Sequence, residues 1–129
     1  MEDGSQTIYV QVGGFETFKA LVGDFYDRVD RDPVLRPLFV DESLDAPKDR
    51  LALFLAQYFG GPPNYSLSRG HPRLRARHLP FAIGQRERDA WVGHMLAAID
   101  SVMITEPARS QMRAYFEDAA TFLMNRPPD

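Results

Sequence analysis

The chain has no cysteine among its 129 residues. That excludes disulfide frameworks, zinc–thiolate sites, iron–sulfur clusters and thiol nucleophiles. Lysine is nearly missing as well. Lys19 and Lys48 are the two, and the other thirteen of the fifteen cations are arginine. No apolar run approaches the ~20 residues that span a bilayer. The opening Met1–Glu2–Asp3–Gly4 lacks the basic-then-apolar order of a secretory leader. The cytoplasm is therefore the expected compartment. No stretch alternates apolar and polar residues with period two, so strands are not expected. The three histidines, His71, His78 and His94, form no metal-binding i, i+4 pair. A glycine-rich phosphate loop and a serine elbow are missing too.

Charge narrows the classes further. Eighteen carboxylates outnumber the cations and leave a net charge of -3, with an isoelectric point near 5.6. Nucleic-acid binders are usually basic. A DNA-binding reading would rest on Arg69, Arg73, Arg75 and Arg77 alone, against the acidic balance. Arginine does suggest another partner, because its planar fork holds carboxylates and phosphates.

What is present describes one globular domain over residues 1–129. Its core runs from about 9 to 125 and its short ends fray, with Pro127–Pro128–Asp129 closing the last helix. Hydrophobic residues are 44% and charged residues 26%, which suits a buried core. Residues 15–30 place Phe15, Phe18, Leu21, Val22, Phe25, Tyr26 and Val29 at 3–4 spacing, the signature of a one-faced helix. Ile8–Val12 is either a helical turn or extended. Asp32–Pro33 caps a short turn over 34–36. A second large helix is expected from Asp45 to Phe59, with Pro47 in its first turn and Leu51, Phe54, Leu55 and Tyr58 buried. Residues 60–72 read mostly as loop. A short helix follows over 73–79. Longer ones are expected near 85–102, with Ala90, Trp91, Met95, Ala98, Ile99 and Val102 inward, and from 105 to about 125. The fold class is all-α, with four substantial helices and one short one.

A few residues could carry chemistry. His78 shares a face with Leu74 and is flanked by Arg75 and Arg77. A lone imidazole on an apolar face is ordinarily structural. The alternative is a single axial ligand to a planar metal cofactor, since neutral imidazole binds haem iron. Trp91 either fills core or offers its indole N–H, a donor only. Tyr26 ends an apolar run but carries a hydroxyl that needs a partner if buried. Phe39 reads as a core plug. His71 and His94 read as surface or structural groups, and Asp24, Asp27 and Asp30 as a solvated face.

Several segments in order resemble the group II truncated haemoglobins. Val12–Gly13–Gly14–Phe15 is similar to the family's first glycine motif, and Phe25–Tyr26 to its distal tyrosine. Phe54–Leu55–Ala56–Gln57–Tyr58–Phe59–Gly60–Gly61–Pro62 resembles its aromatic helix end and second glycine pair. Gly70 to His78, followed by Pro80–Phe81–Ile83, resembles the proximal segment. Glu87 to Trp91 resembles the tryptophan segment.

The resemblance implies a two-over-two helical sandwich around one haem b. It makes His78 the proximal iron ligand and Tyr26 and Trp91 the distal donors. Phe39 and Phe81 would lie against the haem, and Leu51, Phe54 and Leu55 would line the distal side. Arg50, Tyr65 and Arg75 are implied as propionate contacts. The ligands would be dioxygen, carbon monoxide or nitric oxide, and an unidentified reductase would supply electrons. Two departures stand out: Phe39 replaces a tyrosine common in the group, and Pro47 occupies a distal gate position.

Slow dioxygen release follows if two fixed donors face the ligand. That favours oxygen and nitric oxide redox chemistry or sensing over bulk transport. A nitric oxide dioxygenase or peroxidase is the enzymatic alternative, although no distal histidine or arginine is evident for splitting peroxide. A non-haem helical interaction module is the other alternative.

Overall fold

The computed structural model describes residues 6–40 and 43–127. The acidic opening Met1–Gly4 and the closing Pro128–Asp129, both part of the sequence reading, lie outside the described residues. Among those described there are seven α-helices and no strand. They are α1 (Ile8–Val12), α2 (Phe15–Asp30), α3 (Asp45–Tyr58), α4 (Asn64–Arg69), α5 (Leu74–His78), α6 (Gln85–Ser101) and α7 (Ala108–Phe122).

The four long helices make two packed pairs. α2 packs on α3 and on α6, and α6 packs on α7. This is the expected two-over-two arrangement. α2 supplies the shared wall because its apolar stripe is widest: Phe18, Leu21, Val22, Phe25, Tyr26 and Val29 are all buried. Met95, Ala98 and Ile99 of α6 and Met112 and Phe116 of α7 complete the core.

Helix α1 is too short to stand alone and is held at both ends. The Thr7 side chain accepts a bond from Val10 N–H, and Gly13 closes the helix in the left-handed region at φ 107°. α1 then docks on the end of α3, where Tyr9 N–H donates to Phe59 O at 2.9 Å. Gly60 and Gly61 make that approach possible. A Cβ on either would come within 2.5 Å of the Thr7 or Tyr9 side chain.

The departures from the sequence reading have local causes. Residues 60–72 are not mostly loop, since α4 occupies 64–69. The α4 sequence, NYSLSR, has weak helix propensity and is fixed from outside. Gln57 of α3 donates to Ser66 Oγ at 2.8 Å and accepts from Ser66 N–H at 2.9 Å. The turn after α2 lies at Arg36–Leu38 and includes Pro37, which a first turn tolerates because that N–H is unused. Asp32 caps the residues just before that turn, where the cap was expected, its Oδ1 accepting from Val34 N–H at 2.6 Å; the Arg36–Leu38 turn itself has no side-chain cap. Tyr58, assigned to a buried stripe, is 54% exposed. Val92, which the stripe on α6 passed over, is buried.

Candidate functional site

Tyr26 sits in the penultimate turn of α2, buried in the wall shared by both helix pairs. Its ring meets Phe25 edge-on at 5.0 Å and Phe39 edge-on at 5.7 Å. Phe25 in turn meets Trp91 of α6 at 5.1 Å, and Trp91 lies 5.7 Å from Phe116. The fold thus gathers Tyr26, Phe39 and Trp91, far apart in the chain, into one aromatic cluster around Phe25.

Two polar atoms in that cluster are unsatisfied. Among the described residues, neither the Tyr26 hydroxyl nor the Trp91 indole N–H has a hydrogen-bond partner. Tyr26 is buried and Trp91 half-buried; a buried donor left unpaired costs about 1–3 kcal/mol, so the Tyr26 hydroxyl above all marks a place where a ligand completes the bonding. Burial pushes the Tyr26 phenol well above its ordinary range, and the charge of Arg50 partly offsets this. Tyr26 is therefore a neutral O–H donor at any physiological pH. Arg50 is exposed on α3, and its charge reaches the phenol.

On α3, Phe54 and Leu55 are buried and Leu51 is half-buried. Tyr65 of α4 is buried edge-on to Phe54 at 5.5 Å.

His78 ends α5 and is half-buried. Its Nδ1 lies 2.6 Å from Leu74 O, one turn earlier. A carbonyl can only accept, so Nδ1 donates and Nε2 is the nitrogen left to ligate a metal. An imidazole oriented in this way, with one ring nitrogen fixed by a backbone acceptor, is the arrangement a metal ligand takes. Together with the two unpaired donors, it fits the haem implied by the resemblance: one nitrogen ligand for iron and two donors for a polar ligand. No ring contact joins His78 to the aromatic cluster among the described residues.

The segment after His78 is held by a residue the sequence reading did not single out. Asn125, beyond the end of α7, donates from Nδ2 to Phe81 O at 2.7 Å and to His78 O at 3.2 Å. Its Oδ1 accepts from Ile83 N–H at 2.9 Å, and its own N–H donates to Ile83 O at 2.9 Å. An asparagine after a helix reads in sequence only as a cap. The long-range half of its bonding is invisible there.

Arg75 extends to the same place. Its Nη1 donates to Phe122 O at 2.5 Å and to Met124 O at 3.2 Å, with the guanidinium 5.7 Å over the Phe122 ring. Phe81 is 39% exposed and turns back to donate its N–H to His78 O. His71 is exposed, and its Nδ1 accepts from Arg73 N–H. His94 of α6 contacts Asp32 Oδ2 and ties α6 to the turn after α2. Among the described residues, no group of three or more His, Asp or Glu side chains could hold a metal ion. No described helix is long and apolar enough to cross a membrane.

Comparison with known proteins agrees with this geometry. The family described as "Bacterial-like globin" matches residues 7–125. A group 2 truncated haemoglobin of Bacillus subtilis is 39% identical over 113 residues, covering 88% of this chain and 85% of the relative. The crystal structure of a haemoglobin from Chloroflexus aurantiacus superposes with a TM-score of 0.92 at 56% identity, covering 95% of this chain and all of that one. An X-ray structure of a truncated oxygen-avid haemoglobin from Bacillus subtilis gives 0.88 at 38% identity, covering 93% and 100%.

Proposed function

The chain belongs to the bacterial-like truncated globins, and from that premise we propose that it retains dioxygen at haem for redox chemistry or sensing rather than carrying it in bulk. Members of the family bind haem, haem b being the usual form in truncated haemoglobins, and diatomic ligands on it. When bound, the haem supplies an iron with one open position, where dioxygen gains negative charge.

The rest of the reading concerns this chain's own side chains. His78 Nε2 is the proposed iron ligand, oriented by the bond from Nδ1 to Leu74 O. Phe39 and Phe81 pack against the haem, and Leu51, Phe54 and Leu55 keep water from the ligand's side. Arg50, Tyr65 and Arg75 are the proposed propionate partners. Arg75 has Nε and Nη2 left for that role after Nη1 meets the α7 carbonyls.

The observation that carries the proposal is the pair of unpaired donors, Tyr26 O–H and Trp91 N–H, around one ring. Each can stabilise a ligand that has gained negative charge by ~1–1.5 kcal/mol, more where water is excluded. At 1.4 kcal/mol per factor of ten, two donors slow dioxygen loss roughly a hundredfold. A protein that releases its ligand so slowly is a poor carrier. The relative described as oxygen-avid is consistent with this.

Trp91→Phe tests the reading. The ring stays and the only donor goes. We expect the dioxygen dissociation rate to rise about tenfold and the carbon monoxide rate to change far less, because carbon monoxide gains little charge. Equal rises for both gases would make Trp91 a steric plug and remove the basis for tight retention.

A further inference from the structure

Charge is distributed unevenly along this chain. Residues 50–86 hold six arginines and not one Asp or Glu, while the other nine cations share the remaining sequence with all eighteen carboxylates. An acidic protein therefore carries one strongly basic segment. That segment contains α4, α5 and the turns around them, the part of the fold that bears His78.

The structure gathers part of this charge on one face. Arg77 folds back over the turn between α4 and α5, its Nε donating to Pro72 O at 2.7 Å and its Nη2 to Arg69 O at 3.2 Å. Arg73 is the N-cap of α5 and Arg77 lies one turn on, joined to it by the bond from Arg77 N–H to Arg73 O. Arg69, Arg73 and Arg77 are all exposed, and the side chains of Arg69 and Arg73 meet no acceptor among the described residues. Arg73 stands in the left-handed region at φ 48°, uncommon for any residue but glycine. Like charges one turn apart repel, and no carboxylate pairs with Arg69, Arg73 or Arg77 among the described residues. Exposed apolar side chains lie in the same segment: Leu67 on α4 at 79% and Leu79 after α5 at 54%.

We infer that this face, built on Arg69, Arg73 and Arg77, docks an acidic electron-carrier protein that reduces the haem. The inference rests on the proposed function, which needs ferrous iron. Charge complementarity selects an acidic partner. Exposed arginines with two exposed apolar residues in the same segment suit the small, weak interfaces of electron-transfer complexes, under ~1,200 Å². A lipid surface fits less well, because α4 and α5 are six and five residues long and present no continuous apolar stripe. One electron passes from the reduced carrier to ferric haem. The carrier is oxidised by one electron, the iron becomes ferrous, and no bond of this chain forms or breaks.

The experiment uses haem-loaded ferric protein and an oxidised plant-type ferredoxin, a small acidic iron–sulfur protein, with affinity read by calorimetry at low and high salt. Reduction of the haem by the reduced ferredoxin is followed in parallel. We expect affinity to fall about tenfold or more between the two salts, as steering by exposed charge requires. Arg69→Glu with Arg73→Glu should weaken low-salt affinity and the reduction rate about tenfold. Lys19→Glu with Arg31→Glu, the same change in net charge elsewhere, should shift both by less than about twofold. Reduction by dithionite should be equal in all three, confirming intact haem sites. No low-salt binding, or equal loss in both double variants, overturns the inference. So does arginine-dependent sedimentation with phosphatidylglycerol vesicles in the absence of ferredoxin binding, which would assign the face to a membrane. Failure to take up haem at all defeats the proposed function as well. Haem-loaded protein that ignores these arginines defeats this inference alone.

Discussion

Phe39 shows how one atom can set a ligand's lifetime. Its ring stands edge-on to Tyr26 with 5.7 Å between centroids, so a tyrosine there would add a hydroxyl to the same aromatic cluster. Phe39→Tyr is expected to slow dioxygen dissociation by up to about tenfold, one added hydrogen bond's worth. Stopped-flow displacement by carbon monoxide reads this directly. An unchanged or faster rate would mean that the new hydroxyl bonds Tyr26 and withdraws a donor from the ligand. Asp32 illustrates a residue that acts through charge. The bond to His94 holds its carboxyl below the usual carboxylate range, with burial opposing and the N–H groups of Val34 and Leu35 assisting. A carboxyl with a lowered folded pKa contributes stability that is present above its unfolded value, about 3.9. That stability is lost as pH falls through the folded value. Asp32→Asn keeps the cap through Oδ1 and removes the charge. It should cost about 1 kcal/mol near pH 7, with the difference from the native protein shrinking below about pH 4. Urea unfolding across that range checks it, and a difference independent of pH would contradict it.

At the level of helices, legibility followed the source of each element's stability. α2, α3, α6 and α7 are long enough for their apolar periodicity to emerge from the sequence, and Asp32 announced its own cap. α4 was missed because NYSLSR has no stripe of its own and is held by two bonds from Gln57. Tyr26, Phe39 and Trp91 were legible as site candidates through motif resemblance. Their meeting was not: Tyr26 and Trp91 both touch Phe25, which depends on how α2 crosses α6, and Phe39 joins through Tyr26. Asn125 was invisible for the same reason. Its side chain pairs the carbonyls of His78 and Phe81 and the N–H of Ile83, locking the chain just after the proposed iron ligand. Asn125→Ala would leave these three groups without that partner. We expect a loss of about 1–3 kcal/mol in unfolding free energy and a faster transfer of haem to an acceptor globin. Asn125→Asp keeps the acceptor for Ile83 but sets a charged oxygen against the carbonyls of His78 and Phe81, so near neutral pH it should cost at least as much as Asn125→Ala. A thermal melt and a haem-transfer time course decide the matter; unchanged haem transfer in Asn125→Ala would show that the segment holds its geometry unaided.

Across the whole molecule, two packed helix pairs hold the proposed distal donors, Tyr26 on α2 and Trp91 on α6, while the proposed iron ligand sits on a five-residue helix of the basic segment. The core and the proposed iron ligand thus lie on different elements. Replacing His78 should therefore leave the fold and the distal donors intact and remove only the proximal bond to iron. The most direct test is the optical spectrum of ferrous protein, native against His78→Ala, without and with added imidazole. We expect one haem per chain and a five-coordinate ferrous spectrum in the native protein, its loss in His78→Ala, and its return when imidazole fills the space. A native-like spectrum in His78→Ala without imidazole would contradict the assignment of His78 as the iron ligand.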